Sequence, residues 1–320
     1  MQILIRETAL FSEFYHLTPY QLVMWESSGG LWHGMARADL FICDDGQVVC
    51  CELNSDTPSG QAEAVLLNKL LLGMHGSGVA DPNEKFEQRF VEMLRASYAK
   101  RGGSDAELKS VGIIYPTELT EDLGMITLLT KRLETSGIKV VSGSPYNLHR
   151  NAYGGIEVLG VSVDLVFRHY KTDWWGERLS VWRDSPAYPD PDPLDAPLGA
   201  LLAAEMEGQV TIVNPFGSVV TQNKLSLAFF WEEHQRFSAR ARKWIRRYIP
   251  ETYRLATLTP ERLRGEKHLW VIKSDYGCEE RKPSAGRLLL MKFGKRQLSL
   301  RSLGISLRSI FFTPQPTREA

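Results

Sequence analysis

Cysteine is scarce in this chain and does not form a metal-binding pattern. Only four cysteines occur in 320 residues, with no Cys-x-x-Cys pair and no Cys/His spacing. Cys50 and Cys51 are neighbours on an apolar segment, so on a strand their side chains would point to opposite faces. These features argue against a disulfide scaffold and against a zinc site. We expect reduced thiols and a cytoplasmic protein.

Long hydrophobic runs are also missing. No uncharged stretch approaches the ~20 residues that a membrane-spanning helix requires. The N-terminal stretch MQILIRETALFSEF has charges within its apolar part and no small-residue cleavage site, unlike a secretory signal peptide. The sequence therefore predicts a soluble chain with neither a signal peptide nor a membrane span.

The chain has no net charge, but its charges are unevenly distributed. The 38 basic and 38 acidic residues cancel, whereas residues 281–320 contain nine Lys or Arg and one Glu. The first 280 residues therefore carry about −8 and the remainder about +8. Overall neutrality thus hides two unlike segments. Length and a hydrophobic content of 43% predict a globular chain of roughly two domains.

Strand and helix patterns alternate along the chain. Apolar segments at 111–116 and 138–145 predict strands on either side of a helix at 121–137, a βαβ unit that favours a parallel sheet. Strands at 35–42 and 47–53 are predicted around the turn Asp44-Asp45-Gly46. The other predictions are helices at 59–73, 83–101, 198–207 and 223–247, strands at 160–170 and 210–215, a strand and turn at 269–277, and a loop at 183–197. The predicted fold class is α/β.

The first two strands carry the densest set of polar side chains. Glu52 and Asn54 are two positions apart and share one strand face, and the neighbouring strand can place Asp39 beside them. Two carboxylates and an amide oxygen are ligands that suit Mg²⁺. Arg37 would face the same site and could neutralise charge on a transferring phosphoryl group. The alternative is a solvated hairpin with a salt bridge, which spacing alone favours.

The segment from Glu52 to Pro58 resembles the E-x-N-x-D-T-P signature of the glutathionylspermidine synthase family, whose members are circularly permuted ATP-grasp ligases. Later segments are similar to that family in the same order, and the resemblance covers about residues 14–280. They are Arg168-His169-Tyr170, Asn214-Pro215, Asn223-Lys224 followed by Trp231, and the strand and turn from Leu269 to Gly277.

The resemblance implies an α/β fold with a pre-ATP-grasp lobe and an incomplete circularly permuted ATP-grasp core. Its implied parts are an N-terminal part of the core at 1–105, the pre-ATP-grasp-like lobe at 106–215, the start of the ATP-binding subdomain at 216–280, and a basic tail at 281–320. It further implies an enzyme that uses ATP and Mg²⁺ to join a small-molecule acid to an amine through an acyl phosphate. The alternative is a non-catalytic relative that binds ligands only.

The resemblance also implies roles for individual residues. The implied roles are Mg²⁺ binding by Asp39, Glu52 and Asn54, contact with the acyl phosphate by Arg37, binding of ATP phosphates by Lys224, Lys273 and Gly277, and formation of the acid pocket by Ser55, Asp56, Thr57 and Arg168. Each role has a plainer alternative: a surface lysine, an ordinary turn at Asp56-Thr57-Pro58, or a strand-end arginine. The identities of the acid and amine and the oligomeric state cannot be read from the sequence.

The family pattern ends near residue 280. Glu280 occupies the position of the second glycine of the family's phosphate loop, where close backbone approach favours glycine. One interpretation is a shifted reading frame, which predicts that another frame continues the ligase pattern after codon 279. Because the family's adenine-clamping strand is not identified after residue 280, the present chain is expected to turn over little ATP. The other interpretation is a genuine basic tail, with an amphipathic helix at 287–310 that binds an anionic partner. Nucleic acid is not expected as a partner of the chain, because few aromatic residues accompany the basic ones in this segment.

Overall fold

The computed structural model describes the chain apart from several short segments and the C-terminus. The described residues are 2–31, 34–43, 45–75, 78, 80–102, 108–176, 194–266, 269–275 and 288–292. They form two compact units. The first unit combines the described residues up to Arg37 with Leu53–Ser226, and the second combines Ala38–Glu52 with the described residues from Leu227 onward. The resemblance divided the chain into four parts, at 1–105, 106–215, 216–280 and 281–320. This assignment to parts of a ligase stays a prediction.

A four-stranded parallel sheet forms the centre of the first unit. Its strands are β3 (Ser110–Ile114), β4 (Lys139–Gly143), β8 (Leu165–Arg168) and β9 (Thr211–Val213), in the order β4-β3-β8-β9. Helix α6 (Leu123–Thr135) connects β3 to β4, so the βαβ prediction is confirmed. The α/β fold class is confirmed with it.

Packed side chains cover both faces of this sheet, as is usual for a parallel sheet, and successive side chains along a strand point to opposite faces. On β8, Leu165 and Phe167 pack with α6 and with α5 (Phe86–Lys100). Val166 points to the other cluster, which contains residues of α3 (Pro19–Ser27), α7 (Thr172–Gly176) and α8 (Asp195–Met206). The small antiparallel sheet of β5 (Leu148–Arg150), β6 (Ile156–Val158) and β7 (Val161–Val163) joins that second cluster.

The prediction of a single strand at 160–170 is wrong, because the chain changes sheets at Asp164. Residues before it form β7 and residues after it form β8. The Asp164 carboxylate accepts hydrogen bonds from the backbone N–H groups of Lys109 (2.9 Å) and Ser110 (2.8 Å). These bonds hold the crossing point against the start of β3.

Three further helices lie in the first unit, together with a helical segment whose start differs from the prediction. They are α1 (Gln2–Arg6), α2 (Ala9–Glu13) and α9 (Ser218–Gln222). The segment predicted at 59–73 contains a π-helical turn at Glu63–Leu67 and continues as α4 (Asn68–His75). The prediction that this helix stops at Gly73 is wrong, because α4 runs two residues beyond it.

The second unit contains two small sheets. Strands β1 (Arg37–Ile42) and β2 (Val48–Asn54) pair as predicted, and each has one end in the first unit. Strands β10 (Glu251–Arg254), β11 (Trp270–Ser274) and β12 (Leu288–Lys292) form an antiparallel sheet with β12 in the middle. Over its described part, the segment predicted as a helix at 287–310 is therefore a strand.

The helix predicted at 223–247 is interrupted. Helix α10 (Leu225–Glu232) ends, Phe237 is extended, and α11 (Ala239–Tyr248) begins anew. The Ser238 side chain accepts a hydrogen bond from the backbone N–H of Ala241 at 3.2 Å, which caps the second helix. Helix α12 (Pro260–Gly265) follows after β10. No helix in the described ranges has the length and apolar character needed to cross a membrane.

Candidate functional site

A buried ion pair lies at the C-terminal end of β8 in the first unit. Arg168 is 1% exposed and Asp56 is 3% exposed, and Arg168 Nη2 lies 2.5 Å from Asp56 Oδ1. Thr172 donates its hydroxyl to Asp56 Oδ1 at 2.6 Å and its backbone N–H to Asp56 Oδ2 at 2.8 Å. Both carboxylate oxygens are therefore hydrogen-bonded inside the protein.

The Arg168 guanidinium also contacts backbone carbonyls on two segments. Its Nε donates to the carbonyl of Asn214 at 3.2 Å, and its Nη1 donates to the carbonyl of Tyr170 at 2.7 Å. The Phe216 ring centroid lies 4.5 Å from the guanidinium carbon. Arg168 thus connects the ends of β8 and β9 to the segment after β2. Substrate contact by Asp56 and Arg168 stays a prediction, and their visible contacts are internal.

Asn214 organises the same region, and sequence reasoning gave it no role at the site. Its side chain is 1% exposed; Oδ1 accepts from the backbone N–H groups of Gly34 (2.9 Å) and Met35 (2.8 Å). Its Nδ2 donates to the carbonyls of Met35 (2.8 Å) and Asp56 (2.9 Å). The available signal was an amide directly after an apolar strand. A buried amide at that place must find partners, and here it joins three segments.

Gln222 holds the segment that contains the predicted acid-pocket residues. Its Oε1 accepts from the backbone N–H groups of Ser55 (2.8 Å) and Asp56 (3.1 Å), and its Nε2 donates to Asn54 Oδ1 at 3.4 Å. The Ser55 hydroxyl shares a 2.7 Å hydrogen bond with the Thr221 hydroxyl. Thr57, the third predicted pocket residue, is half-buried. This segment is therefore fixed by side chains of α9.

A second group of predicted residues comes together in the second unit. Lys273 Nζ lies 3.4 Å from Glu52 Oε2 and donates to the backbone carbonyl of Cys51 at 3.4 Å. The two charged side chains are 12% and 20% exposed. The structure therefore pairs the predicted phosphate-binding lysine with one of the predicted metal ligands, across 221 positions of sequence.

The charges of Glu52 and Lys273 affect the pKa of the nearby Cys50 thiol. Burial is the main cause that raises the pKa of the Cys50 thiol, and the carboxylates of Asp39 and Glu52 raise it further. A hydrogen bond to the Glu52 backbone and the charge of Lys273 act in the opposite direction. The charges of Asp39, Glu52 and Lys273 therefore all act on the Cys50 thiol in the second unit.

The remaining predicted residues are distributed differently. Arg37 and Asn54 belong to the first unit, and Arg37 Nη1 donates to the carbonyl of Ser59 at 3.0 Å. Lys224 also lies in the first unit and is 7% exposed, whereas Gly277 lies outside the described residues. Across the part of the chain that the structure describes, no three His, Cys, Asp or Glu side chains are grouped to hold a metal ion.

Glu205, a buried carboxyl affected by the charge of Arg168, should make the stability of the first unit depend on pH. Its side chain is 1% exposed, and Arg101 Nη2 lies 2.8 Å from its Oε1. Burial raises the pKa of the Glu205 carboxyl to about 7, although the charges of Arg101 and Arg168 lower it. In the folded chain this carboxyl therefore binds a proton at a pH where the unfolded chain has lost it.

The contribution of Glu205 to stability should therefore fall as pH rises from about 4.5 to about 7, by on the order of 3 kcal/mol, and level off above that range. Glu205→Gln cannot ionise and should flatten this part of the profile in urea unfolding measured between pH 4 and pH 8. Glu207→Gln is the matched control, because that side chain is 51% exposed and should keep the wild-type slope. An unchanged slope in Glu205→Gln would contradict the assignment.

Comparison with known proteins supports the fold. No family model matches the chain, and no curated protein matches it. Among solved structures, the chain is similar to a glutathione synthetase-like effector from Globodera pallida in its apo form, with 13% sequence identity and a TM-score of 0.52. The similarity covers 90% of this chain and 67% of the effector chain. At this low sequence identity, the comparison shows only that the two folds are similar.

Proposed function

We propose that the chain is an ATP- and Mg²⁺-dependent carboxylate–amine ligase that forms an amide bond through an acyl phosphate, similar to glutathionylspermidine synthase. One observation carries the proposal. Lys273 and Glu52, assigned to ATP phosphate and to metal from separate motifs, lie 3.4 Å apart in the second unit. The resemblance in sequence and the likeness to a glutathione synthetase-like fold support the same chemistry.

The side chains of the second unit fit the proposed cofactors in charge and donor type. Asp39 and Glu52 offer carboxylate oxygens, which Mg²⁺ prefers, and Lys273 offers a point charge for phosphate oxygens. When bound, ATP and Mg²⁺ would supply the phosphoryl group and balance its negative charge. Lys273 would then exchange its ion pair with Glu52 for contacts with phosphate. Lys224, Asn54, Arg37 and Gly277 keep their proposed roles from the resemblance.

In the first unit, the proposed contribution is a rigid acid-binding segment. Ser55, Asp56 and Thr57 follow β2, and Asn214 and Gln222 fix the backbone of this segment through buried hydrogen bonds. A segment held in this way loses little conformational entropy when a substrate binds. The proposed substrates are a small acid, with glutathione-like peptides as the first candidates, and an amine of the polyamine type.

ADP release in the presence of both substrates tests this proposal. We expect release that requires the acid (glutathione) and the amine (spermidine). The rate should be low, because the family pattern ends at Glu280 and no adenine-clamping strand is identified after it. Glu52→Ala and Lys273→Ala should abolish the release. Glu261→Ala is the control, because that side chain lies in the same unit and is 75% exposed. Release that survives both substitutions would contradict the assigned site.

The same assay separates the ligase from a non-catalytic relative. A binding module would show no ADP release, but glutathione or ATP would raise its melting temperature, because a ligand that binds only the folded state stabilises it. That outcome would replace the ligase proposal with the binding-module alternative. If ATP, glutathione and spermidine produced no turnover and no shift in melting temperature, the result would contradict both the ligase proposal and the binding-module alternative.

A further inference from the structure

Helix α11 presents a strongly basic surface in the second unit. Its sequence, ARARKWIRRY, contains five basic residues and no acidic residue. At 100° per residue, Ile245 and Ala241 lie on the inner side, and Ile245 is 7% exposed. We define the α11 face as the exposed side chains Arg240, Lys243, Trp244, Arg246, Arg247 and Tyr248.

The charges of the α11 face are available to a partner. Among the described residues, no carboxylate forms an ion pair with Arg240, Lys243, Arg246 or Arg247. Arg242, which points away from the face, instead donates to Gln235 Oε1 at 2.7 Å. These four cations, which have no carboxylate partner among the described residues, lie within about 10 Å of helix and repel one another. This repulsion favours a polyanionic ligand.

Two aromatic rings accompany these cations. Trp244 is 51% exposed and Tyr248 is 40% exposed, one helical turn apart. The guanidinium of Arg240 lies 4.5 Å from the Trp244 ring centroid, and that of Arg247 lies 5.2 Å from the Tyr248 centroid. Large rings exposed beside arginines are the combination with which proteins stack bases while they neutralise phosphates.

We infer that the α11 face binds single-stranded nucleic acid. A membrane surface fits less well, because an interfacial helix inserts its apolar face, and here Ile245 packs inside the protein. The expectation that nucleic acid is not a partner rested on residues 281–320, where aromatic residues are few. Helix α11 combines aromatic with basic residues, so the inference departs from that expectation. The inference is independent of the proposed ligase activity.

Fluorescence anisotropy with a labelled 20-nucleotide oligo(dT) and the full chain tests the inference. We expect salt-dependent binding that Lys243→Gln/Arg246→Gln/Arg247→Gln weakens at least tenfold, with the slope of log affinity against log salt reduced by about 2. The matched control is Arg89→Gln/Lys131→Gln/Lys139→Gln, which removes the same charge from exposed positions of the first unit. Equal losses in the two triple variants would overturn a specific site on α11.

Binding by a Trp244 variant and binding to lipid vesicles test the inference further. Trp244→Ala should weaken oligo(dT) binding about tenfold while leaving the salt slope unchanged, because it removes stacking and not charge. No change in affinity would show that the ring does not stack bases. Vesicles with phosphatidylserine serve as the second probe. Binding to these vesicles without binding to oligo(dT), or to neither, would overturn the inference.

Discussion

Arg168→Met should lower the free energy of unfolding by about 3–5 kcal/mol, the usual cost of removing one partner of a buried ion pair. The variant leaves the Asp56 carboxylate 3% exposed and without its 2.5 Å ion-pair partner. Methionine fills much of the arginine volume, so most of the loss comes from the uncompensated charge. Urea unfolding measured by circular dichroism gives this difference directly.

The stability loss in Arg168→Met is compared with the losses in two further variants. Arg150→Met breaks a pair with Glu207 whose side chains are 35% and 51% exposed, and it should cost less than about 1 kcal/mol. Arg168→Met combined with Asp56→Leu removes both charges and should be less destabilised than Arg168→Met alone. If Arg168→Met unfolds at the wild-type urea concentration, the pair does not stabilise the first unit, and a purely substrate-binding role becomes the better explanation.

The sequence predicted those parts of the fold that depend on local patterns. The βαβ unit from β3 to β4 has contiguous apolar periodicity, so its elements and its parallel pairing could be anticipated. At two places where the prediction was wrong, a single polar side chain marks the difference. Asp164 divides one apolar run between two sheets, and Ser238 starts a new helix inside a continuous helical pattern. These changes of sheet and helix coincide with side-chain hydrogen bonds, which a pattern of apolar residues does not predict.

The candidate site was only partly predictable, for a related reason. Motif similarity singled out Asp56 and Arg168, but nothing in the sequence indicated that they would meet across 112 positions inside the protein. Asn214 and Gln222 were not assigned to the site, because a single buried amide leaves no periodic signal. Their partners lie 158 and 166–167 positions away at the Asp56 segment. Contacts of that kind follow from the assembled sheet and its loops.

Met291→Ala tests whether residues after 280 belong to the folded protein. Met291 is 0% exposed on the central strand β12, and it packs with Cys51, Val49 and Leu227. Because the substitution leaves a cavity in this core, we expect a loss of about 2–5 kcal/mol in the free energy of unfolding. Guanidinium unfolding followed by tryptophan fluorescence measures it. Ile272→Ala is the control on neighbouring β11, because Ile272 is 61% exposed and should change stability by about 0.5 kcal/mol or less.

The result also bears on the two interpretations of the basic segment. A large loss in Met291→Ala would mean that at least Leu288–Lys292 is integral to the second unit, since Lys292 also pairs with Glu251 (3.7 Å) and Glu266 (2.7 Å) there. Equal stability of Met291→Ala and Ile272→Ala would instead favour a segment that does not fold with the rest. In that case β10 and β11 would lack the strand that joins them, and the proposed position of Lys273 at the end of β11 would lose its support.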